Sequence, residues 1–299
     1  MKRGILAVSC ALCALGLLGG DGDVAPRPSG KIIATEQSSS GWWLIEDGSV
    51  TWTWNPKDDP RVDAGLFGHF GNPSEVKVHE NGKKLLVVCS GGAFGQIDIG
   101  SKRLDWYGLT DGNPHSIDRL PDGRVTVICS DGNKIVLVDP TAAPFDPARQ
   151  RRATYKIPAG HGVVWDAKRG CLWAVGKDEL VKFRYVTEAF ALIREKTYDF
   201  SNVDGTEVIW GHDLVLGQDG KLVITATSHL LTFDPAGERF ALLYAAPHVK
   251  SYSASRNGVL TVIPTEQWWT DTLTVEKDGK RGGVGPFRGA RFYKARWFE

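Results

Sequence analysis

The chain predicts an all-β fold, read as a six-bladed β-propeller that fills residues 31–299 as a single domain. Three observations carry this reading. Almost no stretch keeps the helical apolar period over three turns; short runs rich in Val, Ile, Leu, Tyr and Trp recur instead. Those runs are punctuated by Asp-Gly, Asn-Gly and Asp-Pro, the residue pairs of tight turns between strands. One unit also recurs at intervals of roughly 40–50 residues, the size of a four-stranded blade.

The clearest unit runs over residues 113–140. It reads as a strand from Pro114, a turn at Asp122-Gly123, a strand ending at Cys129, a turn at Asp131-Gly132, and a strand ending at Asp139-Pro140. A fourth strand is expected near 153–157. The same template opens at Asn72-Pro73 with a turn at Asn81-Gly82, and at Gly160-His161 with a turn at Arg169-Gly170. It opens again at Gly211-His212 with Asp219-Gly220, and at Pro247-His248 with Asn257-Gly258. Residues 31–55 supply three strands of a sixth blade. The segment 292–297, Phe-Tyr-Lys-Ala-Arg-Trp, is the closing piece of the ring. Its polar alternation suits an outer strand, yet the first blade lacks an inner one, and both placements stay open. Seven blades are the alternative count.

Ahead of the repeats, Lys2-Arg3 precedes an apolar run from Ile5 to Leu18 and then Gly19-Gly20. This reads as a signal peptide over residues 1–20, followed by a linker at 21–30 and an extracytoplasmic (periplasmic or secreted) domain. Lipid anchoring at Cys10 or Cys13 is disfavoured, because the apolar run before either is too short. No later segment is long and apolar enough to span a bilayer as a helix. The 36 basic and 35 acidic residues leave a formal charge of +1, which loss of Lys2 and Arg3 would turn to −1. No long-range field results, so nucleic acid is not an expected partner and any ligand must be chosen locally. Cys89, Cys129 and Cys171 sit in or beside apolar strand runs without a metal-binding spacing, and read as small buried hydrophobes. A monomer is favoured.

At its repeat openings the chain resembles known propellers. Residues 114–125 are similar to blade openings of gluconolactonase-type, virginiamycin B lyase-type and NHL-type propellers. More closely, Trp268-Trp269-Thr270-Asp271-Thr272 followed by residues 291–297 looks like the C-terminal signature of a family of secreted bacterial propellers of unknown function. The resemblance implies fold and compartment, and no established chemistry.

Propeller geometry then narrows the search for a site. Inner strands start at one face of the ring beside the central channel, and the turn glycines lie on the other face. Counting back from each turn glycine aligns Ser74, His115, His212 and Lys250, with His161 offset by one residue. His115, His161, His212 and Lys250 are therefore candidate catalytic groups converging on one funnel, with Glu75 and Asp213 adjacent. Three His from separate blades could ligate a divalent metal (Zn, Mn or Ca). Without metal, His and Lys could bind an anion or act as base and acid. The structural alternative is polar filling of the channel. On the same rim, Trp42, Trp43, Trp268 and Trp269, beside Glu36 and Gln37, offer faces and edges suited to sugar rings; wedging between blades is the alternative for each Trp. Trp210 is expected near the funnel.

The absence of G-x-S-x-G, Walker, dinucleotide-glycine and H-E-x-x-H motifs sets those chemistries aside. Three functions stay open: a lyase or hydrolase acting on a carbohydrate or sugar acid, a glycan- or peptide-binding module, and an interaction scaffold.

Overall fold

The computed structural model describes residues 30–299; the expected signal peptide, most of the linker and Cys10 and Cys13 lie outside them. Six four-stranded antiparallel sheets stand in a ring, each in the order inner to outer. Blade 2 runs Pro73–His79, Lys84–Cys89, Ala93–Asp98 and Arg103–Leu109. Blade 3 runs Pro114–Arg119, Val125–Cys129, Lys134–Asp139 and Arg151–Lys156. Blades 4, 5 and 6 begin at Gly162–Asp166, Asp213–Leu216 and Ser251–Ser255. A two-stranded hairpin, Asn202–Val203 with Thr206–Glu207, is inserted between blades 4 and 5.

Blade 1 settles the open strand. Its inner strand is Phe292–Trp297, paired antiparallel with Lys31–Glu36 so that Ile33 faces Arg296 and Ala34 faces Ala295. Of the two placements the sequence leaves open, the inner one holds. All six of its residues are buried, Lys294 and Arg296 included. Their polarity comes from facing other charges in the channel.

The second strands of the blades read as nearly unbroken apolar runs because both faces of the sheet are covered there. In Lys84–Cys89, Leu85, Val87 and Cys89 enter the core shared with blade 1, while Leu86 and Val88 enter the one shared with blade 3. Alternation along a strand thus sorts side chains between two seams. Cys89, Cys129 and Cys171 are free and buried, as expected, and burial raises all three thiol pKa values. Helical turns among the described residues are two short 3-10 segments, and no helix there is long and apolar enough to cross a membrane.

Candidate functional site

Each inner strand delivers one side chain to the same level of the channel. In blades 2 and 3 the register slips between Pro73 and Glu75 and between Pro114 and Ser116, leaving Ser74 and His115 unpaired at the slip. Such irregularities re-aim the extra residue. In blades 4, 5 and 6 the equivalent residue immediately precedes the strand: His161, His212 and Lys250 donate their backbone N–H to Val175, Thr225 and Val262. In blade 1 the position belongs to Tyr293. Ser74, buried, spends its hydroxyl on the carbonyls of Val88 and Pro114. The other five residues, together with Gln37, Asn72, Ser90, Asn113 and Trp268, line a hollow of about 410 Å³.

His115 and His161 stack with ring centroids 4.4 Å apart and planes 24° from parallel; His212 meets His161 edge-on at 5.5 Å. The His161 ring is fixed by Nδ1, 2.8 Å from the Ala159 carbonyl, which can only accept; Nδ1 therefore carries the proton and Nε2 is the acceptor. His115 Nδ1 lies 3.3 Å from the Tyr293 hydroxyl, and His212 Nε2 lies 3.3 Å from Lys250 Nζ. Burial, aided by neighbouring positive charge, keeps all three imidazoles neutral. It pushes His161 down to about 4, although the Ala159 contact works against it, and His212 down to about 2; His115 falls well below the usual range. Burial, and then the Lys294 charge, also lower Lys250 to about 8.

One level deeper, Glu75, Asp213, Lys294 and Arg296 form a closed quartet. Arg296 reaches both carboxylates, at 2.6–3.0 Å, and Lys294 Nζ lies 3.3 Å from Glu75 and 3.1 Å from Asp213. The Ser116 hydroxyl and the backbone N–H groups of Val76 and Tyr252 satisfy further carboxylate lone pairs. Burial acts to raise the Asp213 pKa, but the Arg296 and Lys294 charges outweigh it and hold the carboxyl ionised far into acid. The two cations and two anions cancel.

The structure brings together His115, His161, His212, Lys250, Gln37 and Trp268. It places the other expected residues elsewhere. Glu75 and Asp213 sit beneath the hollow in the quartet. Trp42 is fully buried, donates to the Glu75 carbonyl and packs on Trp54 at 5.4 Å. Trp43 packs edge-on against Phe287 and Phe292, and Trp269 lies under the Arg291 guanidinium. Trp210 is exposed at the rim and does not line the hollow. Glu36, buried, accepts hydrogen bonds from Ser38, Ser39 and the Arg291 backbone, and so shapes the loop that presents Gln37. Gln37 Oε1 accepts from Trp268 Nε1 at 3.0 Å. Tyr293, Asn72, Asn113 and Ser90 were not anticipated. The Asn-Pro pairs opening blades 2 and 3 were the available signal for Asn72 and Asn113.

As a metal centre the arrangement fits poorly. Stacked rings do not aim their in-plane lone pairs at one point, His161 Nδ1 is already engaged, and an ammonium faces His212 Nε2. Among the described residues no group of three or more His, Cys, Asp or Glu is disposed to hold an ion.

A family model, described as a family of unknown function (DUF6528), matches residues 28–299. The chain belongs to this family. None of the curated proteins matches it in sequence. Among solved structures, this DUF6528 chain is similar to a protein of unknown function from Bacteroides caccae (9% identity, TM-score 0.60, covering 90% of this chain and 98% of that one). It is also similar to a catalytically inactive virginiamycin B lyase from Staphylococcus aureus with quinupristin (11%, 0.54, 89% and 87%). A third is a putative 6-phosphogluconolactonase from Bacteroides uniformis (14%, 0.53, 88% and 83%). At such identities the likeness concerns the fold alone.

Proposed function

We propose that the hollow binds a small carboxylated, hydroxyl-rich ligand, a sugar acid or the acidic end of a glycan, outside the cytoplasm. One observation carries the reading: Lys250 is the cation of a cavity lined by no carboxylate, above a quartet whose charges cancel. An anion would supply the missing partner. Neutral imidazoles, two Asn, Gln37, Ser90 and Tyr293 offer hydrogen bonds to hydroxyls, and the exposed Trp268 indole offers a flat face to a ring. The extracytoplasmic setting rests on the Lys2-Arg3 and 5–18 pattern.

Thermal-shift and calorimetric titration with glucuronate, gluconate and glucose tests this. The acids should stabilise and glucose should not. Lys250→Met should weaken the acids by at least about tenfold, the loss of one charge-assisted contact. Affinity for acids should fall as pH rises through about 8, where Lys250 loses its proton. Equal binding of glucose, or no binding of any acid, would overturn the reading and leave a scaffold role. A catalytic version draws on His161, whose engaged Nδ1 leaves Nε2 as a base for a proton next to the carboxylate. Product formation from uronic acids, with and without Zn²⁺, Mn²⁺ or chelator, tests that version and the metal together.

A further inference from the structure

Lys294 and Lys250 lie at successive levels of the channel, and their surroundings differ. Lys294 is fully buried with its ammonium between the carboxylates of Glu75 and Asp213. Lys250 is half-buried at the wall of an open hollow, and among the described residues no carboxylate lies within ion-pair distance of its Nζ. Its near partner is His212 Nε2 at 3.3 Å.

His212 can serve Lys250 in either protonation state. Its Nδ1 is buried and has no hydrogen-bond partner, so neither tautomer is locked, in contrast to His161. With the proton on Nδ1, Nε2 accepts from an ammonium. With the proton on Nε2, the ring donates to the lone pair of a neutral amine. An amine placed in this way above a solvent-open cavity is a nucleophile in waiting.

We propose that Lys250 condenses with the carbonyl group of a carboxylic acid ligand, a 2-oxo acid or the open-chain aldehyde of a uronic acid, to form an imine within the hollow. The Nζ lone pair attacks the carbonyl carbon, the C–N bond forms, and the carbonyl electron pair moves to oxygen, which takes a proton. The carbinolamine then expels that oxygen as water while nitrogen loses its second proton, leaving C=N; no oxidant or reductant is consumed. The proposal rests on the reading of the hollow as a site for acids. It adds a carbonyl to the ligand and a covalent role to the lysine.

The groups facing Lys250 act in the same direction. His212 from blade 5, His161 from blade 4, and His115 and Tyr293 from blades 3 and 1 are uncharged, while Lys294 beneath is positive. Burial and that charge bring the ammonium down to about 8, which makes the free amine accessible near neutrality.

Reductive trapping tests this on the full-length protein. The protein is incubated with glyoxylate or glucuronate and cyanoborohydride, and the adduct is located by peptide mass mapping. The expected result is one adduct on Lys250, formed at least about tenfold faster than on any other lysine, with a rate that rises as pH approaches 8. Gluconate, an acid without a carbonyl, should protect. Lys250→Arg should lose the adduct while its melting transition shows it folded. Acid binding without an adduct overturns this proposal and leaves the binding function standing. No binding and no adduct overturns both. Equal labelling of several lysines, or equal trapping of acetaldehyde and glyoxylate, also overturns it, because the site would then be selecting neither the lysine nor the carboxylate.

Discussion

Two residues before the channel-facing side chain, the backbone is left-handed in five of six blades. Asn72, Asn113, Ala159, Trp210 and His248 have φ of 52°, 59°, 41°, 59° and 57°. This turn carries the chain from an outer strand back into the next inner one and aims the ring residue. Asn tolerates the conformation because its short amide can bond locally; Ala, Trp and His pay the Cβ clash, which costs roughly 1–2 kcal/mol per residue. Ala159 uses only backbone there, its N–H donating to Asn133 and its carbonyl accepting from His161. Ala159→Asn, which copies blades 2 and 3, should therefore stabilise by about 0.5–1 kcal/mol. A urea midpoint below that of the parent chain would refute the account.

Among the elements, the strand Phe292–Trp297 does two jobs. It closes the ring through its pairing with Lys31–Glu36, and it brings both cations of the quartet. Removing Arg296 leaves Glu75 and Asp213 sharing Lys294 alone in a site almost closed to solvent. Arg296→Met should cost about 3–5 kcal/mol, the range for breaking a buried ion pair by deleting one partner. The double variant Arg296→Met with Asp213→Asn leaves one anion against one cation and should recover part of that loss. Denaturation of both variants decides it. A double variant less stable than the single would mean that Arg296 acts through packing.

The whole ring is held by six apolar seams of unequal depth. The seam joining blades 6 and 1, where the ends of the domain meet, buries twelve residues, and the one between blades 5 and 6 buries four, Val223, Leu230, Ala246 and Val249. Closing the ring with the C-terminal strand Phe292–Trp297 therefore does not make closure the weak point. His212 and Lys250 flank the thin seam, so a ligand bridging them would clamp it. The buried imidazoles also make the ring acid-sensitive. Unfolded His takes a proton near 6.5, whereas folded His161 resists until about 4 and folded His212 until about 2. Below 6.5 the unfolded state binds more protons, so stability falls with pH by about 1.4 kcal/mol per unit for each such imidazole. The melting temperature should drop from pH 7 to pH 5, and His161→Gln should flatten that slope. An unchanged slope would show that protonation elsewhere sets it.

Strand runs and turn pairs are local properties. The two inner strands of five blades, their turns at Gly82, Gly123, Gly170, Gly220 and Gly258, and the meeting of His115, His161, His212 and Lys250 could all be read by counting along the chain. Repetition made that possible, since a side chain at one place in the template meets its equivalents wherever the ring closes. The closing strand could not be read in this way. Lys294 and Arg296 alternate with apolar residues as they would at a solvent-exposed edge, and a charged channel imposes the same pattern. Lys294 meets Glu75 across 219 residues of sequence, so only the assembled ring shows that the polarity is internal. The tryptophans follow the same logic. Trp42 and Trp268 are alike as residues, but Trp42 is wedged between blades and Trp268 faces the hollow. What separates them is the packing of the neighbouring blade, a contact that no local pattern encodes.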